Sequence, residues 1–283
     1  MAQTREFSGL RRLLADPLGA FGLALVVLLV LGALGADWLS PFPPTKLAIR
    51  DRLLPPDWTH PLGTDHLGRD ILSRVLHGGR IALGVSLAAV GGALAAGTTL
   101  GMIAGYGPRW LDNTLILAFD AVRSFPTILF ALAVVTLTGP SLSTIILIVI
   151  VTTTPVYSRI VRTQTLALKG QEFILAERAM GAGPVRVLAL HILPNLIGPL
   201  LILASMEIPV VIAIESGLSF LGLGVRPPTP SWGSILNDGY GFIRDTPWPV
   251  IAAGVPIVLT TLGFTFLGES LRDIFDPRLQ RAP

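Results

Sequence analysis

Residues 81–106 read IALGVSLAAVGGALAAGTTLGMIAGY, 26 residues without one charged side chain. As a helix, at about 1.5 Å per residue, such a run outspans the roughly 30 Å hydrocarbon core of a bilayer. Apolar residues follow one another without the alternation a barrel strand needs, so the stretch predicts a membrane-spanning helix. Gly97, Gly101 and Gly105 recur at a spacing of four. Small residues at that spacing let two helices approach closely, and the stripe predicts a helix-packing face.

Comparable runs occur at 18–36, 112–138, 142–161, 196–221 and 250–270. The expectation is an all-α polytopic membrane protein with six transmembrane helices and both termini on one side. Composition agrees, with 51% hydrophobic and 14% charged residues against a norm of about 25% charged in soluble domains. Mean hydropathy is +0.68. The basic balance comes from scattered Arg, which argues against nucleic acid as a partner. With no Cys there is no disulfide, thiolate metal site or cysteine nucleophile.

Arg5, Arg11 and Arg12 precede the first run, and Ala33-Leu34-Gly35 resembles a small-residue cleavage site. The run is too long for a signal core and further spans follow, so it predicts a retained first helix. Orientation follows from charge. With the N-terminus cytosolic, the inside holds Arg5, Arg11, Arg12, Arg109, Arg159, Arg162, Lys169, Arg178, Arg186, Arg272, Arg278 and Arg281. The outside holds Lys46, Arg50, Arg52, Arg69, Arg74, Arg80, Arg226 and Arg244.

Three connections stand out. Residues 37–80 open with Pro41, Pro43, Pro44, Pro55 and Pro56, an extended stretch. They then place Leu67, Ile71, Leu72, Val75 and Leu76 at helical spacing opposite Arg69, Asp70, Ser73, Arg74 and His77. That pattern predicts a helix lying along the membrane surface. Residues 222–249, rich in Pro, Gly and Trp, read as an ordered outer loop or re-entrant hairpin. The third connection, 171–195, is QEFILAERAMGAGPVRVLALHILPN. It predicts a short helix from Gln171 to Met180 with Glu172 at its favourable N-terminal end. Gly181, Gly183 and Pro184 stop it, and a second short helix over 184–192 follows. Two short helices about a glycine hinge make a projection that can dock into a cytosolic partner.

This loop resembles the cytosolic EAA loop of bacterial binding-protein-dependent ABC permeases: Ala-Glu-Arg-Ala-Met-Gly at 176–181, nine residues, then His-Ile-Leu-Pro at 191–194. HPLGTDHLGRDILSRVLHGGRIAL (60–83), LSFLGLGVRPPTPSWGSIL (218–236) and GESLRDIFDPR (268–278) resemble the dipeptide/oligopeptide/nickel branch, and within it the C-type subunit. The resemblance implies the type I ABC importer transmembrane fold and a coupling role for Ala176, Glu177, Ala179, Gly181, His191, Leu193 and Pro194. Glu172 matches the register of the family's glutamate, and Glu177 is an added acid, so either can meet the ATPase. The implied partners are a B-type permease subunit, one or two ATPase subunits carrying ATP and Mg, an extracytoplasmic solute-binding protein facing Pro227, Pro228, Pro230 and Trp232, and membrane lipid. The implied location is the bacterial inner membrane with both termini cytosolic. Residues 1–79 form a tail, first helix and outer loop, 80–270 the permease domain, and 271–283 a cytosolic tail.

Ionisable groups inside spans mark transport paths or structural braces. Asp120 and Arg123, three apart, can pair on one helix face, and Glu207 and Glu215, eight apart, point roughly the same way. Glu207 is the candidate for a cationic or amino-terminal substrate group, and Glu215 can cap the outer hairpin. No GxxxxGK[ST] occurs, and the only lysines, Lys46 and Lys169, do not follow glycine, so this chain has no phosphate-binding loop. The four histidines, His60, His66, His77 and His191, lack metal-ligand spacing, and no nucleophile–base set is visible. A secondary transporter needs a repeat between halves that is not found, and a membrane enzyme needs a catalytic cluster. The leading expectation is a permease subunit for di- or oligopeptides, with nickel chelates or glutathione as alternatives.

Overall fold

A computed structural model describes residues 11–275. Arg5, Arg278, Arg281 and the chain from 276 onward, including the end of the 268–278 motif, lie outside the described residues. Among the described residues there is no named strand, only an isolated bridge between Thr64 and Asp70.

Helix α1 is Pro17–Leu34, capped by Asp16, whose carboxylate accepts from Gly19 N–H at 3.0 Å. Helices α2 (Ile71–Tyr106), α3 (Arg109–Arg123), α4 (Thr127–Thr138) and α5 (Leu142–Lys169) follow. Then come α6 (Glu172–Ala179), α7 (Leu193–Phe220), α8 (Trp232–Tyr240) and α9 (Trp248–Phe275). Five helices are long and apolar enough to cross a membrane: α1, α2, α5, α9 and the continuous run Pro184–Phe220 that contains α7.

The expected span at 112–138 is a broken one. Helices α3 and α4 meet at 86° across Ser124–Pro126. Pro126 disfavours helical backbone at Phe125 and has no N–H to continue the ladder, so the helix ends at Arg123. Counted as one bent span, the pair makes six.

The surface helix expected near 67–77 is corrected. Asp70 caps α2, its carboxylate accepting from Ser73 N–H at 2.8 Å, and the helix runs unbroken from Ile71 through 36 residues. The polar side of that stretch faces protein, not water: Ser73 and Arg74 are buried. Gly78 and Gly79 lie inside the helix, and Trp232 packs where their side chains would stand.

The glycine stripe does what its spacing predicts. A Cβ on Gly97 would lie 2.4 Å from Tyr157 Cβ, and one on Gly105 would lie 2.8 Å from Arg162 O. Ser158 Oγ donates to Gly97 O at 3.1 Å. Val85, Ala89, Val90 and Ala93 of α2 and Ile145, Ile148 and Val149 of α5 belong to the same buried core. Between helices in lipid, van der Waals fit supplies the association. Pro155, Pro199, Pro209 and Pro256 sit inside helices. Helix α9 continues to Phe275.

Candidate functional site

The connection after α5 forms the projection. Gly170 ends α5, Gln171 turns the chain, and α6 starts with Glu172 exposed in its first turn. Gly181 has φ +86°, a left-handed conformation natural to glycine, and the turn closes through Gly181 N–H to Arg178 O and Ala182 N–H to Glu177 O, each 3.0 Å.

The second short helix is not a separate element. Pro184–Val187 passes through a π turn, Leu188–Ile192, directly into α7. Leu193 N–H reaches back to Leu188 O. This wider register carries the chain past Pro194, which has no N–H to give, without a break.

The loop has two sides. Ile174, Val187 and Ile192 are fully buried and root it to the bundle, while Phe173, Leu175, Met180 and Val185 are exposed, Met180 by 74% and Val185 by 79%. Ala176, Ala179, Gly181 and Pro194 are also exposed, and Leu193 is half-buried. Glu177 is half-buried, with Oε2 3.5 Å from His191 Nε2. Exposed large apolar side chains on a firmly rooted helix are surface of the kind that marks a protein or membrane contact.

The interior charges fall differently from expectation. Asp120 does not pair with Arg123. It meets Arg159 of α5, and Asp112 binds Arg162 with an Nη2–Oδ2 distance of 2.7 Å. Because α3 ends at Arg123 and lies against α5, the neighbouring helix supplies the cations. Both Asp120 and Arg159 are about half exposed, so that pair orients more than it stabilises. Glu215 is fully buried and accepts from Ser219 Oγ at 2.7 Å. It sits one turn before the hairpin that Asn237 ties to Phe220 O at 2.7 Å, consistent with a brace. Glu207, on the same helix, is only half-buried.

The loop before α2 and the hairpin after α7 form a built cap that the sequence reading did not find. Asp65 and Asp238 share two arginines. Arg69 Nε donates to Asp65 at 2.6 Å and its Nη2 to Asp238 at 2.9 Å. Arg74 Nη2 donates to Asp238 at 3.0 Å and its Nη1 to Asp65. Burial pushes the Asp65 carboxyl up, but Arg74, Arg69 and backbone N–H groups together outweigh it and hold it below the usual carboxylate range. The Asp65–Arg69 spacing of four was a visible hint, whereas Asp238, 169 residues from Arg69, was not. His66 lies near both carboxylates. The two arginine charges oppose a cation there. His60 Nδ1 meets Asp70 Oδ1 at 2.8 Å. Of the hairpin residues expected to face a partner, Pro227 and Pro228 are exposed, while Pro230 is buried and Trp232 is 2% exposed. Trp232 donates from Nε1 to Val75 O at 2.9 Å, so it locks the cap to α2.

Residues 97–281 match the family described as binding-protein-dependent transport system inner membrane component, and residues 5–56 match the N-terminal TM domain of oligopeptide transport permease C. The chain is 38% identical to the dipeptide transport system permease protein of Alkalihalophilus pseudofirmus, covering 95% of this chain and 89% of that one. Identity is 36% to the di/tripeptide transport system permease protein of Pseudomonas aeruginosa, over 92% and 88%. It is 38% to the glutathione transport system permease protein of Pectobacterium atrosepticum, over 98% and 91%. Spans, projecting loop and matches along nearly the whole length converge: the chain belongs to the binding-protein-dependent transport system inner-membrane components, as a C-type ABC permease subunit.

Proposed function

We propose that this chain forms one half of a peptide translocation path and takes its driving force from ATPase subunits seated on α6. The observation that carries the reading is the exposed apolar face of α6 and its turn (Phe173, Leu175, Met180, Val185) on a base that Ile174, Val187 and Ile192 bury completely. Such a base transmits displacement instead of absorbing it. The second permease half is a B-type subunit, ATP and Mg reside on one or two kinds of ATPase chain, and a solute-binding protein delivers cargo at the outer cap beside Pro227 and Pro228. Both termini lie in the cytosol.

The test is uptake of a labelled dipeptide into proteoliposomes holding the complete complex. Transport is expected to vanish when the ATPases are omitted, and uptake without them sinks the proposal. Gly181→Trp should assemble poorly or hydrolyse ATP without importing peptide. Its φ of +86° penalises any side chain, although no atom lies within 4 Å of where a Cβ would stand. Normal coupled transport by Gly181→Trp counts against the docking role of the loop.

Glu207 is placed on the path as the group that meets a peptide's amino terminus. It is half-buried within a span, where a carboxylate is costly unless it serves a polar route or a cationic guest. Glu207→Gln should lower uptake of free dipeptides severalfold relative to N-acetylated ones while the complex still assembles. Equal uptake of both classes, before and after substitution, removes Glu207 from that role.

A further inference from the structure

We infer that Glu177 and His191 form a staple that fixes the angle of α6 against α7, making Glu177 a positioning residue and leaving Glu172 to face the ATPase. The inference rests on the coupling role proposed above. The two glutamates of the loop stand in different surroundings: Glu172 is exposed at the first turn of α6, whereas Glu177 is half-buried and turned toward its own chain. Its Oε2 lies 3.5 Å from His191 Nε2. That nitrogen is shielded from solvent and has no hydrogen-bond partner, so Glu177 is the acid held at ion-pair distance from it.

The place of the contact gives it a task. It spans the Gly181 turn, which two backbone hydrogen bonds close but where no side chain packs over the position a Cβ would take. His191 belongs to the π turn at the root of α7, and its carbonyl accepts from Asn195 Nδ2 at 2.6 Å, which ties it to that helix. Helix α6 is therefore held by the chain to α5 through Gly170, by its buried Ile174, and by the staple to α7. A movement of α6 reaches both spans together. Without the staple, the turn can flex and α6 can tilt while α7 stays in place. The pair is roughly a quarter exposed on each side, so it contributes little to overall stability. Its loss should appear in coupling, not in folding.

The experiment compares ATP hydrolysed per peptide imported by the complete complex in proteoliposomes. Glu177→Gln and His191→Gln should each raise that ratio severalfold, and the double variant should be no worse than either single one, because both remove the same contact. The exchange Glu177→His with His191→Glu should restore most of the coupling. Should His191→Gln reduce assembly, His191→Arg offers Glu177 a cationic partner and is expected to couple normally only while Glu177 is present. A defect in Glu177→Gln with none in His191→Gln overturns the staple and makes Glu177 an ATPase contact. Two neutral single variants, or additive defects, overturn it as well. Uptake by the unsubstituted complex that does not need ATPases is a different result and strikes the coupling role itself.

Discussion

Asp65→Ala is expected to strip the cap of its anchor and to remove most of the folded permease from the membrane. Asp65 is 1% exposed and Arg74 2%. The substitution leaves Arg69 and Arg74 buried with only Asp238 between them. Removing one partner of a buried ion pair costs about 3–5 kcal/mol, because the remaining charge is uncompensated. That is a large share of the ~5–15 kcal/mol by which proteins are held together. Asp65→Asn, which keeps the shape and some hydrogen bonding, should fall between. Size-exclusion profiles and thermal unfolding of the purified complex read the effect, and an Asp65→Ala protein as stable as the parent refutes it. The pH dependence has a definite sign. A carboxyl held below its usual value stabilises fully above the unfolded-chain value of about 3.9 and loses that contribution only as pH falls toward its native value. Between pH 5 and 8 the Asp65 contribution should be flat.

Gly101→Leu should be comparably severe, for a steric reason. A Cβ at Gly101 would lie 2.6 Å from Ser158 O and 2.7 Å from Val161 Cβ, closer than real Cβ atoms come. The obstacle includes the backbone of α5, which cannot swing aside as a side-chain tip can, so the two helices must part. Overpacking costs about 1–3 kcal/mol and sometimes more. Here the separation also loosens the contacts at Gly97 and Gly105, which share the face. The matched control is Gly84→Leu, on the same helix with nothing within 4 Å of its Cβ position. Recovery of assembled complex should be near zero for the first and close to the parent for the second. Equal recovery for both refutes the close packing of α2 on α5.

The contrast between these two sites marks what the sequence could disclose. The glycine stripe was legible because a spacing of four is a local geometric fact, and so were the apolar runs and the glycine-terminated helix α6. Residues 67–77 misled because an amphipathic pattern shows that two faces differ without showing what covers the polar one. Water was assumed, whereas Asp65, Asp238 and Trp232 supply the cover. Asp120 likewise offered a partner three residues away, but its cation comes from Arg159, 39 residues on, once the break at Pro126 lays α3 along α5. The second short helix failed for a subtler reason: Pro194 reads as a stop, and only the wider π register lets the chain pass it.

Helix α2 is unbroken for 36 residues, about 54 Å, nearly twice the thickness of a bilayer's hydrocarbon core. Arg74 at one end is bolted into the outer cap. At the other, Lys169 at the close of α5 donates to Tyr106 O at 3.0 Å, and the glycine face interlocks the two helices just before it. On the coupling proposed for α6, the assembly would act as a pushrod. Thrust applied at α6 would then arrive at the cap as the same displacement, because no coil or hinge along α2 takes up the slack. The two mouths of such a pathway would shift in step, and their timing would be set by the stiffness of a single helix.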